Sequence, residues 1–161
     1  MNESIFVLYG RNEFLLNLML DQKIESLHVD PFNILKYDLL ESSSDDALED
    51  LQTVSFFAEK KVIVVKNIHV LETQADSILL AWKTYLEKPN PDVVLIIILE
   101  ELLPENSQLG KVLLKHAYME KVNEMDKKEY PSFVRSFFQK RGYTITDQAV
   151  EALLERTNMD F

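Results

Sequence analysis

The run "VVLIIIL", Val93 to Leu99, constrains this chain most. Seven consecutive apolar residues bounded by Asp92 and Glu100 are far too few to cross a bilayer. They suit a strand buried on both faces, which is the situation of a central strand in a parallel sheet. A second run of this kind, "KVIVVKN", spans residues 61–67. "SIFVLYG" (4–10) and the alternating "NILKYDL" (33–39) read as further strands, and "YMEKVNEM" (118–125) as a fifth.

Between these runs the period changes to that of helices. "RNEFLLNLMLDQKI" places Phe14, Leu15, Leu18 and Met19 at helical spacing, with Asn12 as N-cap. "SSSDDALEDLQTVSFFAE" (42–59) opens with cap residues and two acids in its first turn. "TQADSILLAWKTYLEK" (73–88) is amphipathic and closed by Pro89, and "NSQLGKVLLKHA" (106–117) is a shorter helix. Strand–helix alternation predicts an α/β fold with a parallel sheet and helices on both faces. After about residue 126 two helical segments follow with no strand between them, joined to the front part by the linker "MDKKEYP", and Thr146 caps the second. Two helices make a poor core alone. The expected organisation is therefore an α/β domain over 1–125 and the start of a truncated helical domain over 126–161.

The 27 acidic residues outnumber the 17 basic ones, giving a net charge of −10, which disfavours a domain that works by gripping a phosphate backbone. Lys60, Lys61 and Lys66 form a local basic cluster in the sequence, as do Lys127, Lys128, Lys140 and Arg141. The absence of Cys excludes disulfides, thiol catalysis and thiolate metal sites. "MNESIFVLYG" has neither the basic start nor the long apolar stretch of a signal peptide, so a cytoplasmic protein is expected.

The first strand–helix junction is where a nucleotide-binding α/β fold carries its phosphate loop. A Walker A loop needs several glycines for backbone wrapping, a Lys for charge and a Ser or Thr for magnesium. "YGRNEFLL" offers one glycine and places Glu13 where phosphate would sit. Arg11 reads as a solvated loop residue. Where a Walker B strand ends in carboxylates, Lys66 and Asn67 stand instead. Glu100 and Glu101 point to different faces and read as solvated. His28, His69 and His116 are scattered singly, without metal-ligand spacing. No cofactor, metal or catalytic constellation is expected.

Attention then falls on "VSFFAEKK". On a helix running from about Asp45 to Ala58, the residues Ala47, Leu48, Leu51, Val54, Ser55 and Ala58 share one core-facing stripe. Phe56 and Phe57 lie off it, among Glu49, Asp50, Gln52 and Thr53. Either the helix ends near Val54 and the pair turns into the core, or the pair is an exposed aromatic anchor for a partner protein.

The stretches "IFVLYGRNEFLL", "NILKYDLLE", "LQTVSFFAEKKVIVVKN", "YLEKPNPDVVLIII" and "YPSFVRSFFQKRGYTITDQAVEALLERTNMD" together resemble the delta-subunit family of bacterial DNA polymerase III clamp loaders. The resemblance implies an AAA-type ATPase core that has lost ATP binding, followed by the start of a helical lid, with the C-terminal oligomerisation collar absent. It implies a subunit that binds and opens the sliding clamp (the beta subunit) during DNA replication without hydrolysing ATP itself. It also implies contacts with other clamp-loader subunits through the missing C-terminal region, and with DNA only inside the full complex. In that family two adjacent hydrophobic residues before the third strand wedge into a pocket on the clamp. Phe56 and Phe57 match them, with Thr53 and Val54 as supporting neighbours, although one family member has Leu-Phe there. The alternatives are a small α/β cofactor-binding enzyme and a generic scaffold domain whose Phe pair is core.

Overall fold

The computed structural model describes residues 4–53, 60–122, 129–140, 142–144 and 146–156. The chain divides into two compact units, Met1–Val122 and Asn123–Phe161. In the first unit β1 (Ile5–Tyr9), α1 (Glu13–Ser26), β2 (Ile34–Asp38), α2 (Ser44–Gln52), β3 (Lys61–Lys66), α3 (Asp76–Glu87), β4 (Val93–Leu99), α4 (Gln108–His116) and β5 (Tyr118–Lys121) alternate along the chain. The five strands form one parallel sheet in the order β2-β3-β4-β1-β5.

That order explains the apolar run. Leu95 of β4 pairs with Ile63 of β3 on one side and with Ile5 of β1 on the other. All seven residues of β4 are buried. Val93, Leu95, Ile97 and Leu99 face a core shared with Trp82, Leu86, Leu109 and Leu113. Val94, Ile96 and Ile98 alternate to the opposite face. Burying each such side chain contributes roughly 1.5–3 kcal/mol of transfer free energy, which offsets the entropy of ordering the chain.

The crossovers β2→β3, β3→β4 and β4→β5 advance in one direction across the sheet, and β1→β2 runs back the other way. Crossovers of one hand therefore place α2, α3 and α4 on one face and α1 on the other. In agreement, α3 packs against both α2 and α4. The α1 helix buries Leu15, Leu16 and Leu20 and leaves Phe14, Leu18 and Met19 only half-buried. Of the residues the spacing grouped together only Leu15 is buried, and Leu16 and Leu20 complete the core face.

Two other expectations are corrected. The helix predicted over 42–59 ends at Gln52, and Thr53 is extended with φ −83° and ψ 132°. The apparent cluster of Lys60, Lys61 and Lys66 is not one patch, since Lys61 and Lys66 stand at opposite ends of β3. A 3₁₀ segment over Ile68–Thr73, not anticipated from the pattern, buries Ile68 and Leu71 ahead of α3.

In the second unit α5 (Tyr130–Lys140) and α6 (Asp147–Arg156) pack together. Tyr130 and Pro131, expected in the linker, form the first turn of α5, where proline's missing N–H has no helical partner to lose. Gly142, with φ 78°, ends α5. Its N–H donates to the Gln139 carbonyl at 3.0 Å, and that of Tyr143 donates to the Phe138 carbonyl at 2.9 Å, a Schellman closure that needs the left-handed conformation glycine tolerates. Thr146 caps α6 as predicted, its Oγ1 accepting from the Ala149 N–H at 3.2 Å. Val134 and Val150 are buried, and Arg135 pairs with Asp147.

Candidate partner-binding site

All five strands point the same way, so the sheet has two distinct ends. At the end where the strands begin, the chain leaves α2 and enters β3. The α2 helix starts conventionally: Ser43 Oγ accepts from the Asp45 N–H at 3.2 Å, and Asp45 and Asp46 face the positive end of the helix dipole. Ala47, Leu48 and Leu51 are its buried face. The other end is held from outside the helix. Lys61 Nζ donates to the Asp50 carbonyl at 2.7 Å and to the Thr53 carbonyl at 3.4 Å. Asn90 Nδ2 donates to the Leu51 carbonyl at 3.4 Å. The last carbonyls of a helix have no partners within it, and a cation there also matches the negative end of the dipole. Tyr37 Oη of β2 donates to the Asp50 carboxylate. The Thr53 hydroxyl and N–H both donate to the Glu49 carbonyl, at 2.6 and 3.0 Å.

Thr53 and Lys61 are therefore both held in place. The Lys61 ammonium reaches back to the Thr53 carbonyl, while the Lys61 backbone N–H donates to the Asp92 carbonyl at 3.1 Å. Of the site residues predicted from sequence, Thr53 is exposed at this terminus. Val54, Phe56 and Phe57 lie outside the described residues. Sequence reasoning missed the support for the segment: Lys61, Asn90 and Tyr37 are brought together only by the sheet.

At the other end, where strands finish, there is a cavity of about 540 Å³. Its polar lining includes Glu13, Asp38, Lys66, His69, Glu100 and Glu101. It sits beside the point where strand order reverses between β1 and β4, the usual ligand crevice of an open α/β sheet. Several groups at this end, Asp38 and Asn67 of the cavity lining among them, are engaged in holding the fold. Asn12 Oδ1 caps α1 by accepting from the Leu15 N–H at 3.1 Å. A Cβ on Gly10 would meet the Val122 Cβ and carbonyl oxygen at 3.2 Å, so this glycine allows a close approach to the chain after β5. Asn67, left-handed at φ 60°, donates from Nδ2 to Asp38 Oδ1 at 2.7 Å. That bond, the bond from the Leu40 N–H and the nearby Lys66 charge hold the Asp38 carboxyl below the usual carboxylate range. Glu100, Glu101, His28 and His69 are exposed and His116 is half-buried. Among the described residues no group of three or more His, Asp or Glu side chains is placed to hold a metal ion, and no helix is long and apolar enough to cross a membrane.

The sequence model of the family described as "DNA polymerase III, delta subunit" matches residues 6–123. The DNA polymerase III subunit delta of Bacillus subtilis is 29% identical over 163 residues, an alignment covering 96% of this chain and 47% of that protein. The solved structure of the Bacillus subtilis DNA clamp loader delta protein superposes with a TM-score of 0.65 at 28% identity, over 94% of this chain and 47% of that one. A gamma subunit-related protein of DNA polymerase III from Thermotoga maritima shares the fold, with a TM-score of 0.53 at 15% identity over 84% of this chain and 46% of that one. This chain thus spans about half the length of the relatives it matches.

Proposed function

Because the chain belongs to the delta-subunit family of DNA polymerase III, we propose that it binds the ring-shaped sliding clamp and shifts it toward opening within a clamp loader. Phe56 and Phe57 are the wedge, supported by Thr53 and Val54. The observation that supports this reading lies just before the Phe pair in the chain: α2 stops at Gln52 and its last carbonyls are held by Lys61 and Asn90, which gives Thr53 a fixed base. A rigid base lowers the ordering cost of binding.

Two Phe side chains entering a pocket contribute roughly 3–6 kcal/mol of gross transfer free energy before association costs. They favour opening only to the extent that the wedge prefers the distorted ring over the closed one. ATP hydrolysis belongs to other subunits of the polymerase holoenzyme, and this chain acts in the cytoplasm as a non-catalytic member. The second unit is the start of the helical lid. Contacts with other subunits are made by a C-terminal collar beyond it, and DNA is met only in the assembled complex.

The cavity at the strand ends favours one rival, a small cofactor-binding enzyme. Its carboxylates suit no anionic cofactor, and a thermal-shift screen with nucleotides separates the two readings. The direct test is equilibrium binding to the cognate clamp, wild type beside Phe56→Ala/Phe57→Ala, with a melting curve for each. Binding by wild type, lost in a variant with an unchanged melting curve, supports the wedge. Loss of binding together with loss of folding assigns the pair to the core and sinks it.

A further inference from the structure

The cavity at the strand ends joins two kinds of surface. Its floor is apolar: Leu16, Ile98 and Leu99 line it and all three are buried. One wall is the chain after β4, where Leu103 and Pro104 line the cavity and Leu102, 51% exposed, stands at the rim. That wall is held in place. The Ser107 N–H donates to the Pro104 carbonyl at 2.9 Å, and Ser107 Oγ accepts from the Gly110 N–H at 2.9 Å in the first turn of α4. Asp38 is in register with Lys66, and Lys66 with Ile98. The distance from β2 to β4 is therefore two strand spacings, about 10 Å, wide enough for one polypeptide segment.

The rim carries charge of one sign. Glu13 opens α1, Asp38 closes β2, and Glu100 and Glu101 follow β4. Three separate elements thus supply four carboxylates against the one ammonium of Lys66, with His69 beside them. Asp38 already has Asn67 as a partner. Glu13, Glu100 and Glu101 are exposed and, among the described residues, make no ion pair. An anionic ligand is repelled here. A compact metal ion does not fit either, since no three of the described carboxylates and imidazoles come together to hold one. Dispersed carboxylates above an apolar floor are complementary to a cation on an apolar stem. An Arg side chain has that form: its methylenes lie along apolar surface while the planar guanidinium, with its fork of donors, engages carboxylates.

We propose that this cavity docks a basic segment of a partner protein, with an Arg stem on Leu16, Ile98 and Leu99 and its guanidinium among Glu13, Glu100 and Glu101. Charge complementarity selects the occupant. A small polyamine meets the carboxylates equally well, but it leaves Leu102 in water or sets an ammonium against it. A polypeptide covers Leu102 with an apolar neighbour of the Arg. The inference is independent of the clamp-binding reading, because the cavity and Thr53 stand at opposite ends of the sheet.

The experiment titrates the isotope-labelled chain with an acetylated, amidated Leu-Arg-Arg-Leu peptide and follows amide chemical shifts, with a melting curve for every variant. The same peptide with citrulline in place of arginine, which keeps the shape and removes the charge, is titrated in parallel, as is spermidine. Saturable binding of the arginine peptide is expected, with shifts at residues 13–17 and 98–104. Glu100→Gln/Glu101→Gln should weaken it roughly ten-fold and Glu13→Gln several-fold, with unchanged melting. Asp21→Asn/Glu87→Gln removes the same charge from exposed positions outside the cavity and should leave affinity within about two-fold. The citrulline peptide should not bind. Absence of saturable binding by wild type overturns the proposal, and so does equal binding of the citrulline peptide. Equal weakening by the two double variants overturns it too, as attraction to net charge alone. Spermidine binding as tightly at the same residues overturns it in favour of a polyamine site. If Glu100→Gln/Glu101→Gln fails to fold, Glu13→Gln decides, and unchanged affinity in that variant overturns the proposal.

Discussion

The two ends of one sheet are built differently. Where strands finish, an open α/β sheet normally offers glycines, helix N-termini and basic groups to an anionic ligand. Here that end presents Glu13, Asp38, Glu100 and Glu101, and its single junction glycine is used for packing against Val122. Where strands begin, a region usually given to plain connections, Lys61, Asn90 and Tyr37 converge on the last turn of α2. Side-chain bonds hold the end of α2 at one end of the sheet and tie Asp38 to Asn67 at the other. The comparison teaches that a fold does not fix where its function sits. On the proposed reading the working surface lies at the end opposite the usual ligand crevice of an open α/β sheet.

The harshest test of the comparison is a perturbation that respects neither end. Leu95→Ala removes a fully buried side chain at the centre of β4, and a loss of about 2–5 kcal/mol in urea denaturation is expected. Clamp binding should disappear in step with unfolding. Persistence of binding in a chain that has lost its cooperative transition would show that the Phe segment works without the sheet.

Lys61→Met discriminates between the ends. It keeps the aliphatic stem and removes the ammonium that holds the Asp50 and Thr53 carbonyls, at an expected stability loss of about 1–3 kcal/mol. Clamp affinity should fall several-fold at temperatures where the variant is fully folded. Its counterpart is Asn67→Ala, which breaks the bond to Asp38 and leaves in the left-handed region a residue that tolerates it less well than Asn, at about 1–2 kcal/mol. Here affinity should not move. Equal effects of the two on binding would mean that the ends are coupled through the sheet and that Lys61 has no special role.

How far the sequence was readable depends on the range of the forces involved. The apolar runs of β3 and β4 were legible because burial on both faces leaves no room for polar residues. Asn12 and Thr146 were legible because capping is local. The end of α2 was not: an apolar stripe continues on paper through Ala58, and the helix stops at Gln52. The carbonyls it leaves open are met by Lys61, which the chain brings back as it enters β3, and by Asn90 from before β4. Lys60, Lys61 and Lys66 looked like one patch because sequence proximity hides a strand whose ends lie roughly 17–20 Å apart. The Phe pair itself was singled out by wheel geometry, but its role came from resemblance to a family.

The smallest expected effect, and the sharpest for the strand-exit end, is the acid dependence of Asp38. Its folded carboxyl is held below its ordinary value of 3.8 chiefly by the Asn67 amide, then by the Leu40 N–H, with Lys66 adding attraction and slight desolvation opposing. A depressed folded value means the unfolded chain binds the proton first as pH falls. The stabilisation is therefore complete above the unfolded value, about 3.9, and is lost as pH drops through the lower folded one. Asp38→Asn should be slightly less stable than wild type at pH 7, with the difference shrinking in that acid window and vanishing below it. Urea midpoints taken from pH 7 down to about 2.5 would reveal this convergence. Parallel curves for the two proteins would show that the Asn67–Asp38 bond contributes nothing to holding the strand exits. On the proposed reading clamp affinity at pH 7 should be the same for both, because the carboxylate stands at the opposite end of the sheet from Thr53.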